Sequence, residues 1–170
     1  MRFTANGKTV TSHSKNDSFG RKEFEELQLG TGFVSRQFSY LVGDITDLRR
    51  ENGKYDLAVL DIHAEATGEK LALARYFDSR FAAIFGTHTH VPTADEQILP
   101  RGTGYVTDIG MCGGSGGVIG VKAEVIIERY LTALPVRSEP DDSPVKASGA
   151  LFTVDTETKK CLSVERITLE

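Results

Sequence analysis

The chain has 170 residues, 39% hydrophobic and 26% charged, with a formal net charge of −4. That length suits one soluble globular domain with one core. Lys and Arg are scattered, so no basic stripe speaks for nucleic acid. No apolar run is long enough to span a bilayer, and MRFTANGKTV has no apolar leader core, so a cytoplasmic location is expected. Cys112 and Cys161 fit a reduced protein better than a disulfide scaffold.

Lys8 to Val10 reads as the start of a strand, Ser12 to Gly20 as polar chain without a period, and Arg21 to Leu29 as helical. Phe38 to Arg50 reads as a second helix or a strand entering one. From residue 55 the pattern sharpens. Leu57-Ala58-Val59-Leu60 is an apolar run ending in Asp61-Ile62-His63, as a buried strand with polar residues at its C-terminal end would be. Glu65 to Asp78 reads as a helix, with Leu73 and Phe77 sharing a face. Phe81 to Phe85 is a second apolar run, followed by Gly86-Thr87-His88-Thr89-His90. Strand, helix and strand in this order make a βαβ unit, whose strands are parallel. Pro92 and Pro100 bracket a loop, and Gly104 to Ile109 is a third strand. Gly110 to Gly120 holds six glycines and is expected to be irregular. Ala123 to Leu131 reads as a helix and Ser138 to Ser148 as a loop. Leu151 to Asp155 and Leu162 to Leu169 alternate apolar and polar around a turn at 156–160, which is a β-hairpin.

Three of the four histidines, His63, His88 and His90, follow the two strands of the βαβ unit. The C-terminal ends of those strands lie on one edge of the sheet, where open α/β sheets bind ligands. In an extended stretch, His88 and His90 would present both rings to one side. Neutral imidazoles suit first-row transition metals. Asp61, Asp95 and Glu96 are candidate acceptors behind the rings. A lone histidine at a strand end is more often a plain hydrogen-bonding residue; three on one edge favour a metal. His13 stands in a polar segment and receives no role.

Three segments carry a resemblance: Asp61-Ile62-His63-Ala64-Glu65-Ala66-Thr67-Gly68-Glu69-Lys70, Gly86-Thr87-His88-Thr89-His90-Val91, and Thr107-Asp108-Ile109-Gly110-Met111. Together they resemble the C-terminal half of the YmdB-like metallophosphoesterases, relatives of the calcineurin-type phosphoesterases. The likeness runs from about residue 55 to the end, leaving 1–54 as a divergent N-terminal segment of a single domain. It implies part of an α/β/β/α sandwich closed by the C-terminal hairpin. It also implies a hydrolase acting on phosphodiesters of the cyclic-nucleotide type through metal-activated water. By the same match, His63 and His88 would bind one ion of a two-metal centre and His90 the other, with Asp61, Thr87, Thr89 and Gly110 supporting the site or the substrate. The ion would be Mn, Fe or Zn.

The family's opening Gly-Asp, Gly-Glu-Asn and Gly-Asn-His motifs are missing here. Gly43-Asp44 lies too close to the His63 strand to be the first of them. The chain therefore resembles a truncated member. Such a half would form a homo-oligomer or pair with a complementary N-terminal-half chain, since uncovered sheet edges and apolar faces invite association. Alone it would hydrolyse weakly at best, and one ion shared by all three histidines would be the more workable isolated site. The alternative is a non-catalytic metal-binding or assembly domain left by gene truncation. The run Gly113-Gly114-Ser115-Gly116-Gly117 lacks a P-loop ending and reads as a flexible loop beside the site rather than a phosphate cradle. Cys112 is weak as a ligand, and Met111 reads as packing.

Overall fold

The computed structural model describes residues 2–5, 8–11 and 57–170. The helix read over 21–29, the helix or strand read over 38–50, and Gly43-Asp44 lie outside the described residues. Strands β1 (Arg2–Ala5) and β2 (Lys8–Thr11) pair antiparallel, in keeping with the strand expected at Lys8.

The βαβ unit is present: β3 (Val59–His63), α1 (Thr67–Tyr76) and β4 (Ala83–Thr87). β3 and β4 run parallel, with Val59 opposite Ala83 and His63 opposite Thr87. β6 (Gly104–Val106) lies parallel on the far side of β4, and β5 (Gln97–Ile98) pairs antiparallel with β6. The sheet order is β3-β4-β6-β5. Leu60, Ile62, Ile84 and Tyr105 share a buried cluster with Leu73, Ala74 and Phe77 of α1. These positions follow the period of two in the strands and of three to four in the helix. Each leucine, isoleucine or phenylalanine among them, taken fully out of water, contributes about 1.5–3 kcal/mol. Phe77 and Phe81 add an edge-to-face ring contact at 5.6 Å.

The opposite face of this sheet meets a second one. β7 (Cys112–Gly114), β8 (Val145–Val154) and β9 (Cys161–Leu169) form an antiparallel sheet in that order. A Cβ on Gly104 of β6 would lie 2.8 Å from Phe152 and 2.6 Å from Cys161 Sγ, so glycine here lets the sheets close. Phe85 and Phe152 meet across the interface at 6.2 Å. Helix α1, the mixed sheet and the hairpin sheet thus make three successive layers of an α/β fold. Helix α2 (Ala123–Thr132) connects β7 to β8 and buries Val125.

Three boundaries differ from expectation. The glycine-rich stretch is not wholly irregular, because Cys112 to Gly114 pair with Ala147 to Val145. Glycine weakens a strand but still offers its N–H and C=O, and a Cβ on Gly114 would strike Asp141. The loop read over 138–148 ends early, since Val145 to Ser148 already belong to β8, whose pairing covers β7 from Val145 to Ala147 and β9 from Ala147 onward. The strand expected over 104–109 stops at Val106 because side chains take over the ladder. The N–H of Thr107 donates to Asp95 Oδ1 and that of Asp108 to Thr93 Oγ1.

Candidate metal centre

β3 and β4 end side by side, so the period of two sets which residues meet. Asp61, His63, Phe85 and Thr87 lie on one face, the face that Phe85 turns toward the hairpin sheet. The Thr87 hydroxyl donates to Asp61 Oδ1 at 2.9 Å and lies 3.0 Å from His63 Nδ1. A hydroxyl has one proton to give. Since Asp61 takes it, Thr87 must accept from His63, which puts the proton on Nδ1 and leaves a lone pair on Nε2. The His63 imidazole is also held below its ordinary pKa, first by desolvation and then by His88, which favours the neutral ring.

His63 Nε2 faces His88 Nδ1 at 3.2 Å, with the rings edge to face and their centroids 4.9 Å apart. The other nitrogen of His88, Nε2, is 3.1 Å from Glu65 Oε2. If that nitrogen donates to Glu65, a neutral His88 carries its lone pair on Nδ1. Two lone pairs then converge and require a cation between them, either a proton or a metal ion. Two nitrogens each about 2.0–2.1 Å from one ion sit about 2.8–3.4 Å apart for octahedral to tetrahedral angles. The observed separation fits. The pair supplies two donors, and among the described residues no group of three or more His, Cys, Asp or Glu side chains could hold a metal ion.

His90 does not join the pair. Its Nδ1 lies 3.2 Å from the Ile119 carbonyl, which can only accept, so a neutral His90 carries its lone pair on Nε2. The two rings part because the backbone is not extended: φ is 103° at His88 and 66° at His90. Between them the Thr89 N–H donates to Asp108 Oδ2 at 3.1 Å. Asp108 is wholly buried, and the same oxygen accepts from the equally buried Lys70 at 3.0 Å, while Oδ1 accepts from the Gly110 N–H at 2.9 Å. Burial alone would raise the Asp108 carboxyl, but the hydrogen bonds from Gly110, Lys70 and Thr89 outweigh it and hold it below the usual range.

Of the candidate acceptors, Asp61 stands behind a ring, through Thr87. Asp95 and Glu96 are engaged elsewhere, Asp95 with Thr93 and Thr107 and Glu96 with Arg166. Gly110 has φ +83° and packs between Ser148 and Pro92. In the glycine-rich loop, the Gly116 and Gly117 N–H groups both donate to Asp141 Oδ2, so a carboxylate takes the donors a phosphate would need. Sequence reasoning assigned no role to Glu65, Lys70 or Asp108. Lys70 had a signal: it falls on the same helical stripe as Leu73, Ala74 and Phe77, and a cation on a buried stripe needs an anion.

The profile of the YmdB-like protein family matches residues 28–167, beginning upstream of the boundary expected near residue 55. The chain belongs to the YmdB-like protein family. It is 51% identical over 108 residues to the 2',3'-cyclic-nucleotide 2'-phosphodiesterase of Bacillus subtilis strain 168, covering 64% of this chain and 41% of that protein. Two solved structures share the fold. One is a novel phosphatase from Mycoplasma pneumoniae (40% identity, TM-score 0.68, 78% of this chain and 46% of that one). The other is a hypothetical protein from Thermus thermophilus (36% identity, TM-score 0.67, 73% and 48%). The chain thus spans less than half the length of each of these relatives. None of the helices in the described residues is long and apolar enough to cross a membrane.

Proposed function

We propose that this chain carries one side of the divalent-metal centre of a cytoplasmic phosphodiesterase acting on nucleotide diesters. His63 and His88 are ligands of one ion, and His90 serves a second. The observation that carries this reading is the 3.2 Å approach of His63 Nε2 to His88 Nδ1, with both distal nitrogens occupied. His90, turned to Ile119, supports two separate ions over one ion shared by three rings. A bound divalent ion would polarise a phosphoryl oxygen and lower the pKa of water at the site. The chain's own part is orientation. Asp61 and Thr87 hold the tautomer of His63, and Glu65 holds His88. The remaining ligands belong to the portion of the fold that this chain does not span, and a complementary N-terminal-half chain would provide them.

The test is titration of the apo chain with Zn²⁺ and Mn²⁺, followed by isothermal calorimetry and metal analysis, beside His63→Ala and His88→Gly variants. Binding that is lost in both variants supports the reading. Wild-type protein that retains no metal sinks it. Hydrolysis of bis(4-nitrophenyl) phosphate, with and without an added N-terminal half, then reports whether the second side restores turnover.

A further inference from the structure

The Lys70–Asp108 ion pair lies apart from the donor nitrogens, with both side chains fully buried. A buried pair of this kind is a poor source of net stability, because desolvation consumes most of the attraction. Its geometry explains its place better. Lys70 comes from α1 and Asp108 from the loop just after β6, and the Asp108 carboxylate reaches past them to the Thr89 N–H. Thr89 is the residue between the two histidines, both of which have left-handed φ values. Non-glycine residues avoid that region by about 1–2 kcal/mol each, so such a turn persists only where its surroundings hold it. Gly86, directly below the turn, brings β4 so close that a Cβ there would lie 2.7 Å from Lys70 Cδ and on the Thr107 carbonyl. The Ile109 N–H also donates to the Gly86 carbonyl at 3.0 Å, fastening the Asp108 loop to β4.

We propose that Asp108, charged and oriented by Lys70, is the positioning residue of the histidine turn: by accepting the Thr89 N–H it holds His88 against His63 and turns His90 away. This rests on the reading of His63 and His88 as metal ligands only for its functional meaning; the positioning itself is a property of the apo chain. Among the hydrogen bonds of the Asp108 carboxylate, those from Lys70, Thr89 and Gly110, none comes from a histidine ring. A neutral amide at 108 cannot replace the carboxylate, since it has one oxygen and must abandon either Thr89 or Gly110.

The experiment uses the full chain, ¹⁵N-labelled and metal-free, as wild type and as the double variant Lys70→Met/Asp108→Ala, which removes both buried charges and every side-chain acceptor at 108 together. In wild type the Thr89 amide is expected to be protected from hydrogen exchange, with a nuclear Overhauser contact between the His63 and His88 rings. In the double variant, core signals from Leu73 and Ile84 stay in place, Thr89 exchange rises at least tenfold, and the ring contact disappears. Zn²⁺ binding weakens by about ten- to a hundredfold, as is usual when groups behind a ligand are removed. An unprotected Thr89 amide in wild type overturns the proposal without any variant. So does a folded double variant whose Thr89 exchange and ring contact match wild type. If the wild-type chain binds no Zn²⁺, the metal reading falls, while the exchange and ring-contact measurements still decide the positioning role.

Discussion

The Nε2 of His63 stands 3.2 Å from the Nδ1 of His88, across the ends of two parallel strands. Ring contacts between histidines on one sheet edge need not put nitrogen against nitrogen. Here they do, because Thr87 and Glu65 occupy the outer nitrogen of each ring. Zn²⁺ affinity should therefore depend on a residue that touches no metal. Thr87→Val removes the acceptor for His63 Nδ1 while keeping the shape, and Zn²⁺ binding measured by calorimetry should weaken by about ten- to a hundredfold. An unchanged affinity would mean that the tautomer of His63 is not set by this relay.

His90 should behave as a separate ligand. In the His90→Ala variant, the ion held by His63 and His88 should keep its affinity within about threefold, the range expected of sites that share no partner. A collapse of Zn²⁺ binding as large as that in His63→Ala would instead favour one ion shared by three rings.

Acid should unfold the chain through two hydrogen-bonded carboxylates, the half-buried Asp95 and the buried Asp108. Asp95 and Asp108 are both held below the ordinary aspartate value; burial opposes this, and hydrogen bonds from Thr107 and Thr93 in the first case, and from Gly110, Lys70 and Thr89 in the second, prevail. The unfolded chain, with aspartates near about 3.9, then binds more protons than the folded one as pH falls. The stabilisation is complete above that value and is lost as pH drops through the lower folded values. Melting temperature followed from pH 7 to pH 3 should fall most steeply at the acid end. The Asp95→Asn variant should melt lower at neutral pH and lose less on acidification; an equally steep acid loss would remove Asp95 from the explanation.

Gly86 should tolerate no side chain. A Cβ there would overlap the Thr107 carbonyl oxygen, which is backbone and cannot swing aside. Gly86→Ala should cost at least about 3 kcal/mol in urea unfolding, the upper range of overpacked cores. Gly68→Ala, with open space around the added carbon, serves as the comparison and should change stability little. Similar losses in the two would show that the tight approach at Gly86 is relaxed in solution.

Much of this was legible in the residues. The βαβ unit announced itself through apolar runs of strand length around a helix with Leu73 and Phe77 four apart, and the terminal hairpin through apolar–polar alternation on both sides of a turn. His63 and His88 could be placed on one edge because parallel strands end together. What stayed hidden depended on backbone conformation and long-range partners. Period-two logic puts His88 and His90 on the same side, but it fails once φ turns positive at both. No local pattern announces that Asp108 will reach Lys70 thirty-eight positions earlier, or that Asp141 will close on Gly116 and Gly117. The β7 strand was missed because glycine content argues against a strand, whereas the pairing partner at Ala147 to Val145 decided it.

The left-handed backbone at His88 also limits how this site can be dismantled, by experiment or by drift. At φ 103° every residue except glycine carries a torsional debt, so a change to alanine discards the imidazole and keeps the strain. Glycine discards both. Replacement of this imidazole by glycine is therefore compatible with a more relaxed polypeptide, and a descendant without the histidine could hold its shape.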